Sequence, residues 1–187
     1  MSRTADNTLI DTSERIFYIS DDIDHSSIGK MCFSLLFLLQ QDEKNEKEKR
    51  DFKREPISIY INSNGGDVYD MWGLIDIIEK SKTPIHTYCT GYAMSAAFLI
   101  FLSGHKRFAF RHSTFMYHQL YYHEFGKYKD AVEYRAEIDN TNKWFEEYVI
   151  ERTKITQEYV DNVRDKKTDV YIHAEEALRL GIIESVM

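Results

Sequence analysis

The chain has 187 residues, 43% hydrophobic and 29% charged, with 13 Tyr, 11 Phe and only 2 Pro. That balance suits one domain with its own core and excludes a largely disordered chain. A formal net charge of -7 argues against a general nucleic-acid binder, which needs a basic face to neutralise phosphates.

From the start of the chain, residues 1–14 are polar and read as an N-terminal arm, with no apolar segment behind Met1–Asn7 to make a secretory signal. Arg15 to Ser20 (RIFYIS) reads as a strand. Ser26 to Gln41 reads as a helix with a broad apolar face through Ile28, Met31, Cys32, Leu35, Leu36 and Leu39. Its apolar run, Met31 to Leu39, is too short to cross a bilayer. The charged stretch Asp42 to Glu55 either extends that helix or forms an exposed loop, and reads as a solvated surface segment.

Ile57 to Ile61 (ISIYI) reads as a buried strand, Asn62 to Gly66 (NSNGG) as a turn, and Asp67 to Lys80 as a helix with Met71, Leu74, Ile75 and Ile78 on one side. A strand from Ile85 to Thr90 is expected to break at Gly91, and an apolar helix to follow from Ala93 to Leu102. Arg107–Phe110 and Thr114–His118 read as strands, Lys127–Arg152 as a long helix, Ala174–Leu180 as a short helix closing at Gly181, and Ile182–Val186 as a terminal strand. Alternating strands and helices imply an α/β domain spanning residues 1–187. The two cysteines, Cys32 and Cys89, sit in apolar and β-like runs and read as small buried hydrophobes. A disulfide or zinc framework would need more of them, so a reducing compartment and a soluble cytoplasmic protein are expected.

Gly91-Tyr92-Ala93-Met94-Ser95-Ala96-Ala97 brings a serine to a strand-to-helix connection. There its hydroxyl can be exposed beside the positive end of a helix and that helix's free N–H groups. This is the logic of a nucleophile elbow, without the G-x-S-x-G spacing of α/β-hydrolases. Ser95 capping the helix is the competing reading. Gly65-Gly66 after a buried strand can turn backbone N–H groups toward a ligand, and Gly66 and Ala96 are the candidate oxyanion donors. Of seven histidines, His118 ends an apolar strand-like stretch, Phe115-Met116-Tyr117, and can reach a cleft as general base. A structural strand-end histidine is the alternative. For the residue that orients the base, Asp169, in the loop before the last helix, competes with Asp165, and spacing does not choose between them.

NSNGGDV, CTGYAMSAA, FMYHQ and DVYIHAEEALRLGIIESV, in this order, resemble the proteolytic subunit of the caseinolytic (Clp) protease, from about Arg15 to the end of the chain. The resemblance implies a serine endopeptidase with Ser95 as nucleophile, His118 as base and Asp169, not Asp165, as orienter, and with Gly66 and Ala96 as oxyanion donors. It implies an α/β spiral of ββα units, shared with crotonase-type enzymes, with a handle region at about 119–152 that joins two stacked heptameric rings around a chamber. Unfolded proteins or peptides would be the substrate. The implied partner is a ring-shaped ATP-driven (AAA+) unfoldase. The chain itself has no Walker A sequence and is expected to bind no cofactor.

Two departures point to a divergent or phage-associated member. Asn64 stands where the family usually has proline, and residues 119–126 lack its Gln-Pro and glycine-rich strand, which puts ring stacking and peptide preference in doubt. Three rival readings stand beside the peptidase. They are a non-catalytic structural ring subunit, a crotonase-type acyl-CoA enzyme, and a membrane-linked signal-peptide-digesting peptidase, the last expecting a membrane segment and a lysine base.

Overall fold

Alternation of apolar and polar residues decides the centre of the molecule. In the computed structural model, which describes residues 9–121 and 128–187, strand β1 spans Leu9–Asp11, β2 Ile16–Ile19 and β3 Ile57–Ser63. Ile57, Ile59 and Ile61 of β3 are fully buried, while Ser58 and Tyr60 on the other face are half-exposed. Strand β4, Ile85–Met94, continues the alternation beside it. A period of two puts one residue set on each face, so the sheet has a packed side and a partly open side.

Helices α1 (His25–Glu48), α2 (Val68–Lys80) and α3 (Ala96–Leu102) carry the apolar faces that meet the packed side through Met31, Leu35, Met71, Leu74, Ile75, Ile78 and the wholly buried α3. Asp24 starts α1 through a reciprocal capping box with Ser27, and Asp67 starts α2 by accepting from the N–H groups of Tyr69 and Asp70. On the open side, Tyr18, Tyr60, Tyr88 and Phe108 fall in one register row across four strands. Tyr60 stacks on Tyr88 at 4.8 Å and Tyr88 on Phe108 at 5.1 Å, the cross-strand pairing that stabilises a pleated face.

Strands β5 (Lys106–Ala109), β6 (Thr114–Tyr117), β7 (Val170–His173) and β8 (Ser185–Val186) complete an eight-stranded sheet among the described residues, in the order β1-β2-β3-β4-β5-β8. From β2 to β8 that path is parallel, and β1 joins β2 antiparallel. The sheet forks at β4. Its first half, His86–Cys89, pairs with β5, and its last residues, Tyr92–Met94, pair with β6, which in turn carries β7 antiparallel. Helices α4 (Tyr128–Arg152), α5 (Gln157–Lys166) and α6 (Ala174–Arg179) complete the elements, with α4 packed on α3.

Several sequence expectations change. Gly91 does not break its strand: β4 runs through it, and Gly91 is needed because a Cβ there would collide with Asn62 Oδ1. Leu9–Asp11, expected within a polar arm, adds the edge strand β1, while residues 1–8 of that arm lie outside the described residues. The charged stretch extends α1 as far as Glu48. Its first residue, Asp42, is no surface charge. It is 2% exposed and accepts from both terminal nitrogens of Arg15 and from Thr83 Oγ1. Directly after Asp169, Val170–His173 forms strand β7, and α5 was not foreseen. Of the segment 119–126, residues 122–126 lie outside the described residues.

Candidate active site

The fork in the sheet builds the site. Where β4 leaves β5 for β6, Met94 pairs with Met116, and Ser95 N–H then donates to Met116 C=O at 3.0 Å. One residue later, at Tyr117, β6 ends and His118 follows. Ser95 Oγ and His118 Nε2 lie 2.7 Å apart, within reach for a hydroxyl to donate to a neutral imidazole. Ser95 has φ 52° and ψ -124°. A non-glycine residue in that region costs on the order of 1–3 kcal/mol and persists only where its surroundings hold it there. Here the surroundings are the bond to Met116 on one side and, on the other, the Ser95 C=O accepting from Phe98 N–H at 3.0 Å. Ser95 makes no side-chain cap bond to α3, so the capping alternative is not what the serine does.

The Gly-Gly turn lies against the same connection. A Cβ on Gly65 would stand 2.6 Å from Met94 C=O, 2.9 Å from Ala96 N and 2.9 Å from Ser95 Cβ. Gly65 and Gly66 have φ of 100° and 151°, conformations L side chains rarely adopt. Ser63 Oγ holds the turn, accepting from Gly65 N–H at 3.1 Å and donating to Asp21 C=O at 2.6 Å. Ile23 bridges it from outside, donating to Gly65 C=O at 2.8 Å and accepting from Asp67 N–H at 2.6 Å. These bonds leave out Gly66 N–H, which has no acceptor among the described residues. Ala96 N–H, in the first position of α3, has none within its helix.

Asp169 completes the picture less tightly. The antiparallel register of β6 and β7 runs Tyr117↔Val170, and one further step sets Asp169 opposite His118. Asp169 is exposed, and among the described residues no hydrogen bond joins it to His118. Its charge is still felt. Burial pushes the His118 pKa below its ordinary value, and Asp169 pulls it part of the way back. Asp165, the local competitor, exerts no such effect on His118. The structure therefore brings Ser95 and His118 into contact, sets the Gly65–Gly66 turn beside Ala96, and leaves Asp169 facing His118 without a bond to it.

Three contributors escaped the sequence reading. Asn62 Oδ1 accepts from Tyr92 N–H at 3.2 Å and steadies the β4 fork, Ser63 fixes the turn, and Asn142 of α4 accepts from Leu120 N–H at 3.2 Å, just beyond the histidine. Asn62 and Ser63 stand inside the turn motif and were open to notice. Asn142 lies 22 residues from its partner in a helix whose polar positions look alike. The cysteines stay outside the site: both thiols are free, and burial raises their pKa to about 11.

The family model described as Clp protease matches residues 3–187. The ATP-dependent Clp protease proteolytic subunit 1 of Shouchella clausii is 31% identical over 176 residues, covering 93% of this chain and 85% of that protein. Subunit 2 of Synechococcus sp. is 28% identical over 176 residues, with 93% and 83% covered. Among solved structures, the ClpP1 N165D mutant from Listeria monocytogenes superposes with a TM-score of 0.77 at 24% identity, covering 94% of this chain and 92% of that one. That last likeness supports the fold.

Proposed function

The chain belongs to the Clp protease family, and from that premise we propose that it is a serine endopeptidase acting on unfolded proteins and peptides inside an oligomeric chamber. The observation that carries the reading is the 2.7 Å contact between Ser95 Oγ and His118 Nε2 at a strained strand-to-helix connection.

The chemistry follows from the groups present. As Ser95 Oγ attacks a peptide carbonyl carbon, its proton passes to His118 Nε2. Negative charge develops on the carbonyl oxygen and is met by Gly66 and Ala96 N–H, each donor of this kind being worth about 100- to 1,000-fold in rate. His118 then gives its proton to the leaving amine. Water attacks the acyl-enzyme, losing a proton to His118, which returns it to Ser95 as the acid product departs. Asp169 favours the imidazolium that forms twice in this cycle.

The matched relatives are named ATP-dependent proteases. The chain lacks a phosphate-binding loop of the G-x-x-x-x-G-K-[ST] form, so we assign ATP use to a partner AAA+ unfoldase ring and the chamber to stacked heptameric rings of this chain. We also read the protein as soluble and cytoplasmic, and no helix among the described residues is long and apolar enough to cross a membrane. A second reading, a non-catalytic ring subunit, is favoured by one observation, the missing bond between Asp169 and His118. The crotonase-type reading has no observation in its favour.

Incubation with a fluorophosphonate, followed by intact mass, separates the two. One adduct on the folded wild-type chain and none on Ser95→Ala is the expected result. A wild-type chain that takes no adduct, alone or with an unfoldase present, overturns the peptidase reading in favour of the ring subunit.

A further inference from the structure

One buried carboxylate ties together the two chain segments that must bring the base and its orienting acid into register. Glu146 lies in α4 and is 8% exposed. On one side it accepts from Asn142 Nδ2 at 2.8 Å, and Asn142 Oδ1 in turn accepts from Leu120 N–H, two residues past His118. On the other side it takes both oxygens to Arg164 of α5, at 2.9 and 2.8 Å. From Arg164 to Asp169 the backbone has little freedom. Lys167 ends α5 in a left-handed conformation with its N–H on Arg164 C=O, and Thr168 N–H donates to Val163 C=O. Arg164 is itself held by Asp161 at 2.5 Å, which also accepts from Gln157 Nε2.

The same carboxylate approaches the strand that carries the histidine. Tyr117 stacks on Phe145 with ring centres 5.9 Å apart, and burial together with the nearby charge of Glu146 holds its hydroxyl strongly protonated. This differs from a surface acid–base pair of α4. Lys143 and Glu147 are 69% and 58% exposed at 3.6 Å, the kind of surface pair that contributes little. Both Glu146 oxygens accept from one terminal nitrogen of Arg164, Nη1, while Nη2 donates to Asp161, and removing a partner leaves a buried carboxylate short of a donor. The geometry also runs between the two partners whose contact is incomplete.

We propose that Glu146 is a positioning residue that sets the separation of His118 and Asp169, acting through Asn142 on the histidine side and Arg164 on the aspartate side. The inference rests on the serine peptidase reading above. Among the described residues the groups that face His118 are Ser95 Oγ and Asp169, so Glu146 acts on the base through its place and not by direct charge.

The test is the rate of fluorophosphonate labelling across pH, with thermal unfolding recorded on the same samples. Glu146→Gln and Arg164→Gln should each lower the high-pH plateau about 5- to 10-fold and move its midpoint to lower pH, the direction expected when Asp169 no longer supports the imidazolium. In an Asp169→Asn background the same changes should cost less than about twofold more, because residues acting through one contact do not add. Arg164→Lys, which keeps the charge, should recover part of the loss. Lys143→Gln on the same helix should change nothing. Should Glu146→Gln prove unfolded, Asn142→Ala carries the same expectation through the milder half of the link. Lower melting temperatures with unchanged plateau and midpoint per folded molecule overturn the proposal and leave Glu146 as a structural brace, as do full losses in the Asp169→Asn background. A wild-type chain that is not labelled fails earlier, at the peptidase reading itself.

Discussion

The two halves of the candidate triad are built by different means. Ser95 and His118 are joined by a parallel ladder, with Met94 paired to Met116 and Ser95 N–H bonded to Met116 C=O. The backbone fixes their separation before either side chain chooses a rotamer. Asp169 stands one residue outside the antiparallel β6–β7 ladder, which begins at Val170. Its position depends on the end of α5 and on side-chain links to α4. A contact set by ladder bonds resists small rearrangements, whereas one set beyond the ladder responds to whatever packs on α4 and α5. The two halves should therefore fail differently.

The largest effect should come from the ladder half. His118→Ala removes the group already in contact with Ser95, the proposed nucleophile, and the labelling rate should fall on the order of 10⁴-fold or more. A loss under tenfold would mean that the 2.7 Å contact is structural. Asp169→Asn probes the other half. A tightly bonded triad aspartate is worth about 10⁴-fold. With no bond to His118 among the described residues, we expect about 30-fold, and a full 10⁴-fold loss would show that the working state closes the gap.

The sequence made the ladder half legible because both residues sit at ends of strongly apolar strands. Ser95 follows a glycine-containing strand and precedes a run of small apolar residues, and His118 follows Phe115-Met116-Tyr117. Each could be picked out locally. Pairing of their strands could not, since β4 was expected to stop at Thr90 and the fork lies beyond it, at Tyr92–Met94. Gly91 misled because glycine punctuates strands by its freedom, yet here it is needed for lack of a side chain beside Asn62. Asp169 was separable from Asp165 only by family resemblance, because its meaning comes from a register with β6 that no local pattern encodes. Glu146 carried no signal at all: an acid in an acidic helix is ordinary until its burial is known.

A third effect is a shift along the pH axis. Burial depresses the His118 pKa below 6.5 while Asp169 raises it in part. The neutral base prevails above the folded-state pKa, so wild-type labelling should rise through a midpoint below pH 6.5 and stay level to about pH 8. The folded state resists protonation at His118, so this group withdraws stability as pH falls from 6.5 toward the depressed value. Asp169→Asn should move the midpoint lower still. A midpoint above 6.5 in the wild type would mean that Asp169 outweighs burial, and that the working aspartate half is tighter than the unbonded arrangement of Asp169 and His118.

The smallest effect on chemistry should come from Gly91→Ala, which strikes the fork itself. The new methyl must push Asn62 Oδ1 aside and cost it the bond from Tyr92 N–H. Overpacking of this kind typically costs about 1–3 kcal/mol, a fall of roughly 2–4 °C per kcal/mol in a domain of this size. Yet Gly91 lies upstream of the β4–β6 pairs, and the bonds that fix Ser95 against Met116 do not pass through it. Labelling per folded molecule should stay within about twofold of wild type, since strain away from a well-determined contact is absorbed elsewhere. If labelling falls with stability instead, the ladder does not insulate the Ser95–His118 contact, and both halves of the site depend on their surroundings alike.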